Sequence, residues 1–204
     1  MSPDLIEDRD VDALAASVLR LMNARKPGAD YLLDVSAIPG LPPLLSQYVR
    51  HVETGSAEAG RFDVVTALGP SLAGLSLAGY TAAVRRLAAH LVPGGLLILE
   101  PFRLPGAQAG RGVHAEVNRY EDRTVSSVRH VAPRDGAHVV ARHALIADEH
   151  GVRHVHDERV YHSFGPVELR VVLAAADCAA DLLPTALAGG PVVLGTRRRT
   201  PRGR

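Results

Sequence analysis

Apolar residues at Val11, Leu14, Val18, Leu21 and Met22 recur at a helical period. Asp10 is placed to cap that helix and Pro27-Gly28 to stop it. The period then changes. Tyr31–Val35 and Phe62–Leu68 are short continuous apolar runs, as expected of strands buried on both faces. Leu77–Leu91 is helical again, with an apolar face of Leu77, Tyr80, Ala83, Val84, Leu87 and Leu91. Pro93-Gly94-Gly95 breaks it, and Leu96–Leu99 reads as a third buried strand ending at Glu100-Pro101. Strand, helix and strand in that order predict a βαβ unit and a parallel sheet. Leu41–Val52 stays open: Pro42 and Pro43 can start a helix through Gln47, and Tyr48–Val52 can form a short strand.

After Gly112 the texture is different. Thr124–Ala132, Ala137–Ala147 and Val152–Phe164 are strand-like runs separated by turn sequences, Pro133-Arg134-Asp135-Gly136 and Asp148-Glu149-His150-Gly151. They predict an antiparallel meander, polar on one side. Pro166–Ala176 reads as a helix capped near Ser163, and Val192–Gly195 as a last strand returning to the sheet. The expected fold class is α/β. Residues 1–111 and 165–204 would form a reduced Rossmann-like core, and residues 112–164 an inserted antiparallel lobe for substrate or oligomerisation.

Composition narrows the setting. At 204 residues the chain is large enough for a real core, and its net charge of +1 gives no general pull toward nucleic acid or membrane. The basic run Arg197-Arg198-Arg199, with Arg202 and Arg204, reads as a solvated end. The single cysteine, Cys178, excludes an internal disulfide and a cysteine metal cluster, and its apolar neighbours make it a packed thiol. The start, MSPDLIEDRD, is acidic and polar, unlike a signal peptide. No apolar stretch reaches the roughly 18 residues of a membrane span. A cytoplasmic protein is expected.

Asp34-Val35 with Gly40, Phe62-Asp63-Val64-Val65, His90-Leu91-Val92-Pro93-Gly94-Gly95 and Leu99-Glu100-Pro101 together resemble a class I S-adenosylmethionine (SAM) methyltransferase. More narrowly, the chain is similar to the bacterial N,N-dimethyltransferases that finish nucleotide-linked aminosugars for macrolides. That match rests on Arg25-Lys26-Pro27-Gly28-Ala29-Asp30, the Glu100-Pro101-Phe102 turn, Val128-Arg129-His130 in the meander, and Phe164 with Ala175-Ala176-Asp177-Cys178. The resemblance implies a Rossmann-like methyltransferase sheet, SAM as cofactor, a nucleotide-sugar substrate and self-association, with a homodimer as the expected form.

The chain departs from that family in two places. The family writes its first loop Asp-Val-x-Cys-Gly-Thr-Gly, whose glycines let the backbone approach the cofactor. Here it is Asp34-Val35-Ser36-Ala37-Ile38-Pro39-Gly40. Ile38 brings a branched side chain into the cofactor's space, and Pro39 removes an N–H. The family also needs a helix, an acid-bearing strand, another helix and another strand before its Phe-Asp-Val-Val. Leu41–Arg61 supplies only 21 residues for these, where one βαβ unit takes about 30 or more. The ribose-binding strand and its following helix are therefore expected to be absent. Asp34, Gly40 and Glu53 are the vestigial cofactor residues, with Glu53 near the adenine side. No bound cofactor is expected; SAM belongs to the reading in which the loop is rearranged but working.

Most of the ten histidines lie in the second half. His154-Val155-His156 puts two on one strand face, but no histidine–carboxylate spacing matches a metal site, and no metal is expected. Acid–base chemistry is the better use of them. His130 is the first candidate, because it matches a histidine in the family stretch that handles the amine. His143 is the second, with His156, Asp157 and Glu158 across the meander. Glu100, Phe102 and Arg103 stand at a strand's carboxyl end, where open α/β sheets bind ligands. Tyr120 and Tyr161 complete the expected substrate residues. The favoured function is a SAM-independent cyclisation, isomerisation or elimination on a natural-product intermediate. A non-catalytic partner subunit for another biosynthetic enzyme and an active aminosugar N-methyltransferase are the alternatives.

Overall fold

The computed structural model describes residues 10–36, 38–55, 59–101, 112–135, 137–188 and 190–199. The chain divides into two compact units, Met1–Phe102 with Phe164–Arg204, and Arg103–Ser163.

The first unit is a six-stranded sheet with helices on both faces. Helix α1, Val11–Arg25, starts at Asp10, whose carboxylate accepts from the Ala13 N–H at 2.9 Å. It turns Leu14, Val18, Leu21 and Met22 inward, the face its sequence period predicts. Strand β1 is Tyr31–Asp34, α2 is Leu41–Leu45, β2 is His51–Thr54 and β3 is Phe62–Ala67. A short 3-10 turn, Gly69–Leu72, leads to α3, Leu77–Ala89, and then to β4, Leu91–Leu99. Helix α4, Pro166–Ala175, is followed by β9, Cys178–Leu187, and β10, Gly190–Arg197. The sheet order is β2-β1-β3-β4-β10-β9; β2 to β4 run parallel, and β10 is antiparallel to both neighbours.

Strand alternation splits the core in two. Leu32, Val64, Ile98, Val192 and Leu194 pack with α1 and α2. Leu33, Val65, Leu97, Leu99 and Val193 pack with α3 and α4. Burial on both faces explains why these strands read as unbroken apolar runs.

The structure corrects one topological expectation. The ribose-side strand was expected to be absent, with Tyr48–Val52 left open as a short strand; instead β2 forms at His51–Thr54 and pairs with β1 in parallel, Leu33 opposite Glu53 and Asp34 opposite Thr54. Four-residue strands and a five-residue helix close the βαβ unit within residues 31–54, well inside the length a full-sized unit needs. Two further strands, β9 and β5 (below), went unseen because their mixed polar and apolar residues show no clean period. Strand β4 also runs through Pro93-Gly94-Gly95. Its pairing with β3 jumps from Phe62–Leu91 to Val64–Leu96, so these residues form an irregularity and not a break. Helix α4 is capped at Gly165, not Ser163; the Gly165 N–H donates to Glu168 Oε2 at 2.7 Å.

The second unit is an antiparallel meander of β5 (Gly112–Arg119), β6 (Arg123–Arg134), β7 (Ala137–Asp148) and β8 (Gly151–His162). One face carries Ser127, Val131, Val140, Ala144 and Tyr161, all buried. The other exposes Val113, Val117, Val128, Leu145, Val152 and Val160 among histidines, so it is less polar than its sequence suggests. No described helix is long and apolar enough to cross a membrane.

Candidate functional site

Open α/β sheets bind ligands beyond the carboxyl ends of their strands, where strand order reverses. Here that place lies between β1 and β3. Asp34 ends β1 and is buried. Its Oδ1 accepts from Thr66 Oγ1 at 2.6 Å and from the Ser36 N–H at 3.1 Å. Its Oδ2 is buried without a hydrogen bond among the described residues. Ser36 Oγ accepts from the Leu68 N–H at 2.9 Å, which ties the loop after β1 to the end of β3. Glu100, just past β4, accepts from the Gly69 N–H at 2.7 Å and closes the same crevice from its other side.

Ile38 fills the space between these loops. Only 3% of it is exposed, and it belongs to the α1/α2 core cluster. A Cβ on Gly69 would lie 3.3 Å from Ile38 Cγ1, so the two backbones close around this side chain. Gly40 takes a left-handed conformation (φ 86°) and starts α2, which is the conformation that calls for glycine. The amides a cofactor would need are scarce. Pro39, Pro42 and Pro43 have none. The Ser36 N–H is spent on Asp34 and the Leu41 N–H on the Ile38 carbonyl, at 3.4 Å. The first turn of a helix normally offers free N–H groups to a ligand; α2 begins Leu41-Pro42-Pro43.

Glu53 stands near the carboxyl end of β2, beside β1, where dinucleotide-binding sheets place the acid for ribose hydroxyls. Its carboxylate is held by Arg61 at 2.8 Å. The Arg61 guanidinium also lies over the rings of Tyr31 and Phe62, and Tyr31 stacks on His51 at 4.5 Å. At this crevice a core side chain, Ile38, occupies the loop, Pro39, Pro42 and Pro43 carry no N–H, and Glu53 is paired with Arg61.

Phe102 and Arg103 lie outside the described residues. The remaining expected site residues belong to the meander. His130, His143 and His156 share its open face. His143 stacks on His156 at 4.3 Å, and its Nδ1 lies 3.2 Å from His154 Nε2. Asp157 points to the opposite face and pairs with Arg159 at 2.6 Å, so it does not serve His143. Tyr161 is on that opposite face too. Tyr120 sits in the β5–β6 turn under Arg123, at the other end of the meander. About ten residues at ~3.3 Å each separate the two tyrosines along the sheet, so they line no common pocket. Burial pushes the Tyr161 hydroxyl up from its ordinary value, against the pull of Arg159.

Sequence reasoning passed over Thr66 and Ser36, which hold the crevice shut, and over Arg129, Arg142 and Arg159 as a group. The arginines carried a signal: residues paired across a hairpin share a face.

No protein-family model matches this chain. A dTDP-3-amino-3,4,6-trideoxy-alpha-D-glucopyranose N,N-dimethyltransferase of Streptomyces venezuelae is 35% identical over 111 residues, which is 54% of this chain and only 45% of that relative. A dTDP-4-amino-2,3,4,6-tetradeoxy-D-glucose N,N-dimethyltransferase of Saccharopolyspora spinosa is 24% identical over 93% of this chain and 87% of its own. Among solved structures, the SAM-bound amino pentose methyltransferase CalS10 of calicheamicin biosynthesis, from Micromonospora echinaspora, superposes with a TM-score of 0.73. It is 27% identical, over 93% of this chain and 92% of its own. The sequence and structure relatives are thus aminosugar N,N-dimethyltransferases, and the fold is that of class I SAM methyltransferases.

Proposed function

We propose that this chain, with the fold of the aminosugar N-methyltransferases of antibiotic biosynthesis, works without SAM on a small natural-product or nucleotide-sugar intermediate. The observation that carries this reading is the loop after β1: Ile38 is part of the core and Pro39, Pro42 and Pro43 remove the amide cradle. The reaction is a proton-transfer rearrangement, an isomerisation, elimination or cyclisation, with His130 and His143, which share one face of the meander, as acid–base groups. The apolar stripe on the meander's open face supports self-association, which light scattering on the purified protein measures.

Calorimetric titration with SAM and S-adenosylhomocysteine tests the central claim. No heat at millimolar ligand is expected. Micromolar binding would overturn the reading and favour the second one, a SAM-dependent sugar N-methyltransferase, which the SAM-bound relative supports. For the acid–base assignment, His130→Ala should lower turnover and leave the melting temperature unchanged. Wild-type turnover by that variant removes His130 from the mechanism.

A further inference from the structure

We infer that His143, His154 and His156, on the open face of the meander, form a binding site for a divalent transition-metal ion such as zinc. The inference goes beyond the proposed reaction and meets it at one residue: while His143 holds a metal, the same lone pair cannot take a proton.

Strand register assembles the three. His143 on β7 is directly opposite His156 on β8, and His154 is opposite Leu145, one row along on the same face. His143 Nδ1 lies 3.2 Å from His154 Nε2. Two nitrogens bound to one zinc ion, each about 2.0–2.1 Å from it, stand about 3.3 Å apart at the tetrahedral angle. The pair therefore already has the spacing of two ligands on one ion. One of these nitrogens carries the proton of their hydrogen bond. Moving that proton to the other nitrogen of its own ring, a tautomer exchange with no net change in charge, frees both lone pairs. The His156 ring stacks on His143 at 4.3 Å. A stacked ring aims its nitrogens past its neighbour, so among the described residues three such ligands do not yet converge on one point. All three histidines are exposed, and a turn of His156 to another rotamer can bring it to the ion. Solvent completes a four-coordinate shell.

The surroundings suit a cation. On this face Ala115 and Val128 share the row of His143, and Val117 and Ser126 share the row of His154. The row on one side holds Val113, His130, Ala141 and Glu158, and Glu158 brings a carboxylate two residues from His156 on the same strand. None of these three rows contains an arginine or lysine. In the row on the other side, Arg119 lies on β5, three strands from His154. Arg129, Arg142, Arg153 and Arg159 are all one residue out of phase and point to the opposite face. Imidazoles without thiolates select zinc, nickel or copper over magnesium and calcium. Strand β8 is the outer strand of its sheet, so ions reach the site from solvent. Spacing along the chain conceals this set, because its members lie on two strands and only their pairing unites them.

The test is calorimetry on the intact protein, free of any affinity tag, with zinc, nickel and magnesium chlorides. Zinc and nickel should bind in the micromolar range at one ion per chain, and magnesium should not bind. His143→Ala removes the ligand that both neighbours touch and should weaken zinc binding about 100-fold or more; His154→Ala and His156→Ala should each cost at least about 10-fold. His114→Ala, on the opposite face, should leave affinity intact. Protons compete with metal for imidazole nitrogen, so zinc affinity should fall steeply from about pH 7.5 to about pH 5.5. All of these positions are exposed, so the variants should keep the wild-type circular dichroism spectrum. Zinc binding only at millimolar concentration, or full affinity in folded His143→Ala or His154→Ala, overturns the inference. Full affinity in His156→Ala overturns the three-histidine set. An affinity that does not change with pH assigns the ion to carboxylates and overturns it as well. None of these readouts involves SAM or turnover, so the inference and the proposed function fail separately.

Discussion

Replacing Ile38 by alanine separates a plugged crevice from an open one. Ile38 is 3% exposed, and its Cγ1 would lie 3.3 Å from a Cβ on Gly69, so the site cannot collapse without moving the loop after β3. Removing a fully buried Ile side chain costs about 2–5 kcal/mol, transfer and residual cavity together. The restraints from Ser36 to Leu68 and from Gly69 to Glu100 resist collapse and place the value in the upper half, about 3–5 kcal/mol. For a chain of this size that is roughly a 6–20 °C fall in melting temperature. An isoleucine standing in an open cofactor cleft would cost less than about 0.5 kcal/mol, as surface substitutions do. Urea unfolding followed by circular dichroism reads the difference as a shift in midpoint at constant slope. A loss below about 1 kcal/mol would refute the plug and with it the main support for SAM-independent function. The cavity made by Ile38→Ala would still lack amide donors, so SAM binding is not expected to appear with it.

Other consequences are open to simple measurements. Gly95→Ala would put a Cβ 2.9 Å from the Val92 carbonyl oxygen and 3.1 Å from that of Asp63; it should cost about 1–3 kcal/mol in urea unfolding. Burial pushes Cys178 up to about 11 and Tyr80 up to about 12. Both are acids stabilised in their neutral forms, so their contribution is complete below the unfolded values near 9 and 10. It is lost as pH rises through the folded ones, and the melting temperature should fall between pH 9 and 12. A flat profile over that range would contradict the burial of both groups. Cys178 should also react with a thiol reagent at pH 8 only on the timescale of unfolding; fast labelling of native protein would place it at the surface.

The parts of the fold that could be read from sequence are those where one physical signal dominates. Helices α1 and α3 repeat apolar residues at 3.6 and carry side-chain caps at Asp10 and Ser76. Strands β1, β3 and the end of β4 are continuous apolar runs because helices cover both faces. Strand β2 was only half visible, as the open alternative of a short strand at Tyr48–Val52, because its residues, His51-Val52-Glu53-Thr54, lie at a half-exposed sheet edge and have no period to show. β9 and β5 were missed for a related reason: β9 is buried only at its ends, Cys178 and Leu187, and β5 is exposed along nearly its whole length, valines included, so neither shows alternation. At the candidate site, the loss of glycine at Ile38 and of amides at the prolines was plain from residue types alone. The direction of Ile38 was not, because only the packed structure shows whether a branched side chain enters a cleft or fills a core. The arginine row depended on register, and a one-residue slip would have sent Arg129 to the other face.

The insertion between β4 and α4 also governs the order in which the chain can assemble. Strands β5 to β8 pair only with sequence neighbours, across turns of a few residues. Strand β4 must wait for β10, from Leu99 to Val193, across the whole meander and α4. Closing so long a loop costs chain entropy before any contact repays it, whereas hairpins close in microseconds. On a ribosome the contrast sharpens: the meander is complete while β9 and β10 are still unmade, and the growing sheet presents β4 as a bare edge. Strand β4 is the most apolar stretch in that sheet, so the nascent chain is most prone to aggregate during the interval before β10 arrives.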